Sequence, residues 1–221
     1  MTQEFDIIPF QLFNLNLQEP MSFVTNWLIA FFCLYAFGSL KYGKNTFVDR
    51  WKNFYLILTI SSLLAGLGHL LFQYFDIYGK MPSWVLGAVA GIFASLGMLS
   101  IWHNKKSKSF LTYVVFIKSI VLVSSALYLK SFLFIAIDAI LTYLLFCGFM
   151  GLLLHRKKYA GMKYIVIGVL VLIPSAFIFL LKVNLHRFLN RDDLSHLLML
   201  FCVILFYKGV RKVFLLDVHP S

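Results

Sequence analysis

Charge is what this sequence is short of: Asp, Glu, Lys and Arg make up 13% of its 221 residues, about half the usual share of a soluble domain. Acids are the scarcest, nine against twenty Lys and Arg, for a net charge of +11. That is too little charge to coat a water-facing surface, which excludes an ordinary soluble domain. Cysteine is scarce too. Cys33, Cys147 and Cys202 each fall inside an apolar run and form no C-x-x-C pair, which excludes a disulfide framework and a cysteine-based zinc motif. The five prolines and thirteen glycines are dispersed, with no phosphate-cradling glycine loop, low-complexity linker or internal repeat. Any chemistry must therefore sit within the apolar segments.

Those segments dominate. The chain is 61% hydrophobic, with a mean hydropathy of +0.84. Apolar runs of about 20 residues, the length a helix needs to cross a bilayer core, recur between short polar breaks. The runs predict seven spans, over 22–40, 51–75, 84–102, 110–129, 132–154, 164–181 and 194–207. Lys130 and Ser131 are nearly all that separates the fourth from the fifth, which predicts a tight turn between antiparallel helices. The expected fold is all-α: one polytopic, seven-transmembrane helix bundle over 1–221. Residues 1–21 are an extracytoplasmic interfacial tail, 22–210 the bundle and 211–221 a cytoplasmic tail.

Orientation follows from Lys and Arg, which are retained on the cytoplasmic side. The first 21 residues have none. Lys41, Lys44, Arg50 and Lys52 follow the first span, Lys105, Lys106 and Lys108 the third, Arg156, Lys157, Lys158 and Lys163 the fifth, and Lys208, Arg211 and Lys212 the seventh. The other side holds only Lys80, Lys130, Lys182, Arg187 and Arg191. The N-terminus is thus expected outside and the C-terminus in the cytoplasm. Split among short loops, these charges read as topology signals and attraction to anionic lipid, with no domain to dock nucleic acid. No basic region precedes the first apolar run, so it reads as a retained span and not a cleaved signal. Phe5, Ile7, Ile8, Phe10, Leu12 and Phe13 would lay the tail along the outer interface. The compact loops point to an integral protein of a bacterial inner membrane.

An ionisable residue inside a span is costly and marks a candidate site. The second span runs outward and carries His69 about six residues, or roughly 9 Å, beyond its middle. The seventh starts outside, with His196 near its start and Asp192 and Asp193 four and three residues earlier, on the same helical face. Asp138 lies in the outer half of the fifth span, and Pro174 and Ser175 in that of the sixth. One depth thus collects polar residues from four spans. Imidazoles and a carboxylate suit zinc, whose catalytic sites use three protein ligands and a water of lowered pKa. His69, His196 and one of Asp192 or Asp193 make such a set. We take Asp193 as the ligand and Asp192 as general base, the sequence leaving the two carboxylates interchangeable. Ser62, two turns before His69, would hydrogen-bond a bound carbonyl, and Asp138 is a further catalytic candidate. Plainer readings stand beside these: Asp192 and Asp193 suit a helix N-terminus, and Asp138 suits an ion pair with Lys118.

Gly66-Leu67-Gly68-His69 at the outgoing end of the second span, with Asn190-Arg191-Asp192-Asp193-Leu194-Ser195-His196 opening the seventh, resembles the seven-span membrane hydrolase superfamily of alkaline ceramidases and progestin and adipoQ receptors. The resemblance implies a zinc-dependent amide hydrolase acting on a lipid inside the bilayer. The chain departs from that pattern at Asp192, where the superfamily usually has the first of two histidines, and at Ala65, where it usually has serine. It also lacks an acid at the start of the third span, with only Asp76 in the preceding loop.

Together these readings predict a membrane-embedded zinc hydrolase of a lipid amide or ester, open toward the outer leaflet, with membrane lipids as surroundings and substrate. The rival classes are a lipid or small-molecule receptor or transporter, whose intramembrane acids and histidines relay protons, and a structural subunit of a membrane complex.

Overall fold

The structure, a computed structural model, describes residues 9–43, 45–186 and 189–218. Seven long helices dominate the described residues: α1 Pro20–Ser39, α2 Thr46–Leu70, α3 Met81–Ser100, α4 Lys105–Leu129, α5 Leu133–Arg156, α6 Met162–Leu180 and α7 Arg191–Val218. The first six are each long and apolar enough to cross a membrane. Their outward faces say the same. Phe110, Tyr113, Ile117 and Ile120 on α4, and Leu170, Phe177 and Leu180 on α6, are large apolar side chains left exposed, a surface suited to lipid and not to water. The protein is a helical membrane protein.

Helix ends are set by local chemistry. Pro20 opens α1, where its missing N–H has no partner to lose. The Asn45 side chain accepts from Phe47 N at 2.9 Å to cap α2, and Asn104 accepts from Ser107 N at 3.1 Å to cap α4. The expected turn between the fourth and fifth helices is there: Lys130 takes the left-handed conformation (φ 51°, ψ 41°) and ends α4. Within α5, Thr142–Phe149 winds as a π-helical segment, which the apolar pattern does not signal.

Around the bundle α1 packs on α2 and α7, α2 on α3, α3 on α4 and α5, α5 on α6, and α6 on α7. Trp51, Phe54 and Tyr55 of α2 fill the middle against Phe206 of α7, with Trp51 and Phe206 ring centroids 5.2 Å apart. Gly97 makes room for Trp51, since a Cβ there would lie 2.9 Å from the indole.

Two elements differ from expectation. The second helix ends at Leu70, short of Phe75, and Phe72–Phe75 and Asp76–Gly79 form two brief helical turns leading to α3. The N-terminal tail is not simply interfacial: β1 (Pro9–Leu12) and β2 (Leu15–Gln18) pair antiparallel, turning through Phe13 and Asn14, both at positive φ (50° and 62°), the geometry a two-residue hairpin needs. Asn16 N donates to the Tyr74 hydroxyl at 3.0 Å, and Leu17 and Gln18 are buried, so the hairpin is tied to the bundle's end. Phe5, Ile7, Ile8, Lys44 and Arg187 lie outside the described residues.

Candidate functional site

The hairpin delivers Glu19, which sits in the left-handed conformation (φ 52°, ψ 54°) immediately before Pro20. A non-glycine residue held there costs about 1 kcal/mol or more, so surrounding contacts must fix it. Just inside α1, Ser22, Thr25 and Asn26 follow at helical spacing and turn one polar stripe toward α7. The end of α2 supplies His69, 9% exposed. Two glycines before it allow close neighbours. A Cβ on Gly66 would lie 2.7 Å from the Trp27 ring, and one on Gly68 would lie 2.7 Å from Gly79 O. The second contact presses the Gly79–Lys80 backbone onto α2 and brings the Lys80 side chain over His69.

At the start of α7, Asn190 is the cap: its Oδ1 accepts from Asp192 N at 2.8 Å and Asp193 N at 3.1 Å. Asp193 completes a capping box, its Oδ2 accepting from Asn190 N at 3.0 Å, while its Oδ1 accepts from Ser22 Oγ at 2.7 Å. Asp192 has no such role. Among the described residues its ion-pair partner is Arg191, with Nε at 3.7 Å.

The polar groups converge around His69. Nδ1 lies 2.7 Å from Glu19 Oε2, so the imidazole proton on that nitrogen is donated to the carboxylate. Lys80 Nζ lies 3.1 Å from the same nitrogen and 3.5 Å from Glu19 Oε2. Burial would raise the Glu19 pKa, but the His69 hydrogen bond and the charges of His69 and Lys80 outweigh it and hold the carboxyl down at about 2. His196 stands edge-on to His69, ring centroids 6.0 Å apart. Thr25 Oγ1, which donates to Met21 O at 2.9 Å, lies 3.0 Å from His196 Nδ1, and Asn26 Nδ2 lies 3.3 Å from the same nitrogen.

One donor atom each from Glu19, His69 and Asp192 lies within 4.8 Å of the others. Two carboxylates and an imidazole suit a divalent cation such as zinc. His196 stands beside this triad and is not one of its three donors, its ring centroid 6.0 Å from that of His69. The donor set therefore fits.

Of the residues singled out from sequence, His69, His196, Asp192 and Asp193 do meet at one end of the bundle. Asp193 is the carboxylate occupied by capping and by Ser22, and Asp192 the one facing Glu19 and His69. Ser62 is buried on α2, two turns from His69. Asp138 belongs to another cluster: its Oδ1 receives Lys118 Nζ at 2.5 Å and Ser119 Oγ at 2.9 Å, while Lys118 also donates to Thr142 Oγ1 at 2.7 Å. Ser175 offers its backbone carbonyl to Ser195 Oγ at 3.5 Å. Sequence reasoning missed Glu19, Lys80 and the Ser22, Thr25 and Asn26 stripe. The stripe was readable as three polar residues at i, i+3 and i+4 in an apolar run, and Glu19 as an acid abutting the proline that opens the first span.

Residues 21–214 match the model of a family described as a family of unknown function, DUF6962. No curated protein and no solved structure matches the chain.

Proposed function

We propose, for a chain that belongs to the family of unknown function DUF6962, a membrane-embedded, metal-dependent hydrolase of a lipid amide or ester. The single observation that carries this reading is the placing of Glu19, His69 and Asp192 donor atoms within 4.8 Å of one another in a half-buried polar cluster. The likeness of the α2 and α7 segments to the ceramidase and adipoQ-receptor superfamily supports it.

In this reading α7 is the seventh span. The charge bias puts the N-terminus outside and the C-terminus in the cytoplasm of a bacterial inner membrane, and the site opens toward the outer leaflet. Glu19, His69 and Asp192 would hold zinc, with His196 beside them, and the ligand role expected of Asp193 passes to Asp192. Bound zinc supplies a Lewis acid for the carbonyl and a water acidic enough to attack near neutral pH. Glu19, ionised down to about pH 2, is ready to bind without first losing a proton. Asp193 and Ser22 orient the start of α7, and Thr25 and Asn26 fix the His196 ring.

The test is hydrolysis of a fluorescent long-chain N-acyl amide, and of its ester analogue, by purified protein in mixed micelles. Cleavage that a chelator abolishes and zinc restores, and that Glu19→Gln lacks, is expected. Zinc binding without cleavage of either substrate would move the protein to the receptor class.

A further inference from the structure

The far end of the bundle carries a concave polar feature of its own. Lys212 lies sixteen residues beyond His196 on α7, roughly 24 Å along the helix. There a cavity of about 400 Å³ opens between the end of α5, the start of α6 and α7. Its polar lining is Lys158, Lys163, Lys212, His155, Tyr159 and Tyr164, with no carboxylate among the lining residues.

The cavity is built by a backbone contact. Gly161 has φ +78°, and a Cβ on it would lie 2.1 Å from Gly209 O; a Cβ on Gly209 would lie 2.8 Å from Gly161 O. Only two glycines allow that approach, which presses the α5–α6 connection onto α7 three residues before Lys212. The same connection is held from its other side, where the Tyr159 hydroxyl meets His103 Nε2. Lys158, itself at positive φ (61°), and Lys163 are thereby set around the same space as Lys212. The first turn of α6, which contributes Lys163 and Tyr164, starts from Gly161 with no side-chain cap and no acid, leaving its N-terminal partial positive charge uncompensated.

Topology alone asks only that basic residues sit in these loops. It does not ask that three lysines line one cavity with no acid among the lining residues. We propose that this cavity binds a phosphate group, carried either by an anionic phospholipid headgroup or by a soluble phosphate ester. Basic pockets between membrane helices on the cytoplasmic side have the chemistry for such headgroups, and the Lys and helix N–H donors match the several acceptor oxygens of phosphate. This inference stands apart from the hydrolase reading, since it uses neither His69 nor Asp192.

The experiment uses the full chain in two arms. In the first, nanodiscs of phosphatidylcholine with and without phosphatidylglycerol are compared by native mass spectrometry for retained lipid. In the second, sodium phosphate is titrated into phosphatidylcholine nanodiscs, with thermal stability as the readout. Preferential retention of phosphatidylglycerol is expected, and Lys163→Gln with Lys212→Gln should cut it roughly tenfold to thirtyfold. All of these lysines are exposed, so the variants keep the fold. Lys105→Gln with Lys106→Gln, an equal charge loss at the start of α4, should leave retention unchanged. Saturable stabilisation by phosphate, lost in the Lys163 and Lys212 pair and without lipid enrichment, would identify a soluble ester as the source. Binding of neither probe, or an equal loss from both lysine pairs, overturns the proposal.

Discussion

Replacing Asp193 and Asp192 separately by alanine should give opposite profiles of stability and metal binding. Asp193 is 1% exposed and accepts two short hydrogen bonds, from Ser22 Oγ at 2.7 Å and Asn190 N at 3.0 Å. Asp193→Ala strands the buried Ser22 hydroxyl and the half-buried Asn190 N–H, removes half of a capping box and unties α7 from α1. Hydrogen bonds to a charged group contribute about 1.5–3 kcal/mol each and a helix cap about 1 kcal/mol, offset by the carboxylate no longer being desolvated, for a net loss of about 2–4 kcal/mol. At roughly 2–4 °C per kcal/mol for a chain of this size, melting should fall by about 5–15 °C. Asp192 is partly exposed, and its ion pair with Arg191, at 3.7 Å, contributes no more than about 1 kcal/mol. Thermal unfolding of the two variants in detergent micelles, without metal, measures the difference. Equal shifts, or a larger loss in Asp192→Ala, would refute the division of labour between the two carboxylates.

The buried ion pair between α4 and α5 makes a second case: Asp138→Ala should lose about 3–5 kcal/mol by stranding Lys118, whereas Lys118→Met with Asp138→Leu should be nearly neutral. Unfolding of the three proteins checks this, and a double variant as weak as the single one would contradict it. Gly68→Ala should lose about 1–3 kcal/mol, because its methyl meets the Gly79 carbonyl at 2.7 Å. Gly38→Ala, with nothing within 4 Å, should be neutral or stabilising. The Glu19 carboxyl is depressed from 4.5 to about 2, so the stabilisation from its charge is complete above about pH 4.5 and fades as pH falls toward 2. The stability gap between the parent and Glu19→Gln, followed by melts across that range, should close from the upper pH downward; a gap that does not vary with pH would be at odds with the His69–Glu19 pairing.

Much of the fold was readable from apolar run length, because helix length in a bilayer is a matter of hydrophobic thickness. The two-residue break at Lys130 and Ser131 came through for that reason. The nearness of His69 and His196 followed from depth alone, and the rings lie 6.0 Å apart. Features that depend on side-chain direction or on distant backbone contact did not come through. Glu19 reaches His69 only because a hairpin turns at Phe13 and Asn14 and Glu19 itself adopts φ 52°. Lys80 reaches it only because Gly68 and Gly79 touch. Which of two adjacent acids faces the site was settled by Asn190, whose capping of α7 engages Asp193; the Asn-x-x-Asp spacing held that signal, and hydropathy did not weigh it. Asp138 had two readings, and the one realised depends on Lys118 lying across from it on α4.

The central claim is a metal held by Glu19, His69 and Asp192. Its most direct measurement is the zinc content, by atomic emission, of the purified full chain loaded with zinc and then desalted, alongside Asp192→Asn and Asp193→Asn. The account predicts one zinc per chain, lost in Asp192→Asn and kept in Asp193→Asn. No zinc in the parent protein, or zinc lost from Asp193→Asn and kept in Asp192→Asn, would contradict it.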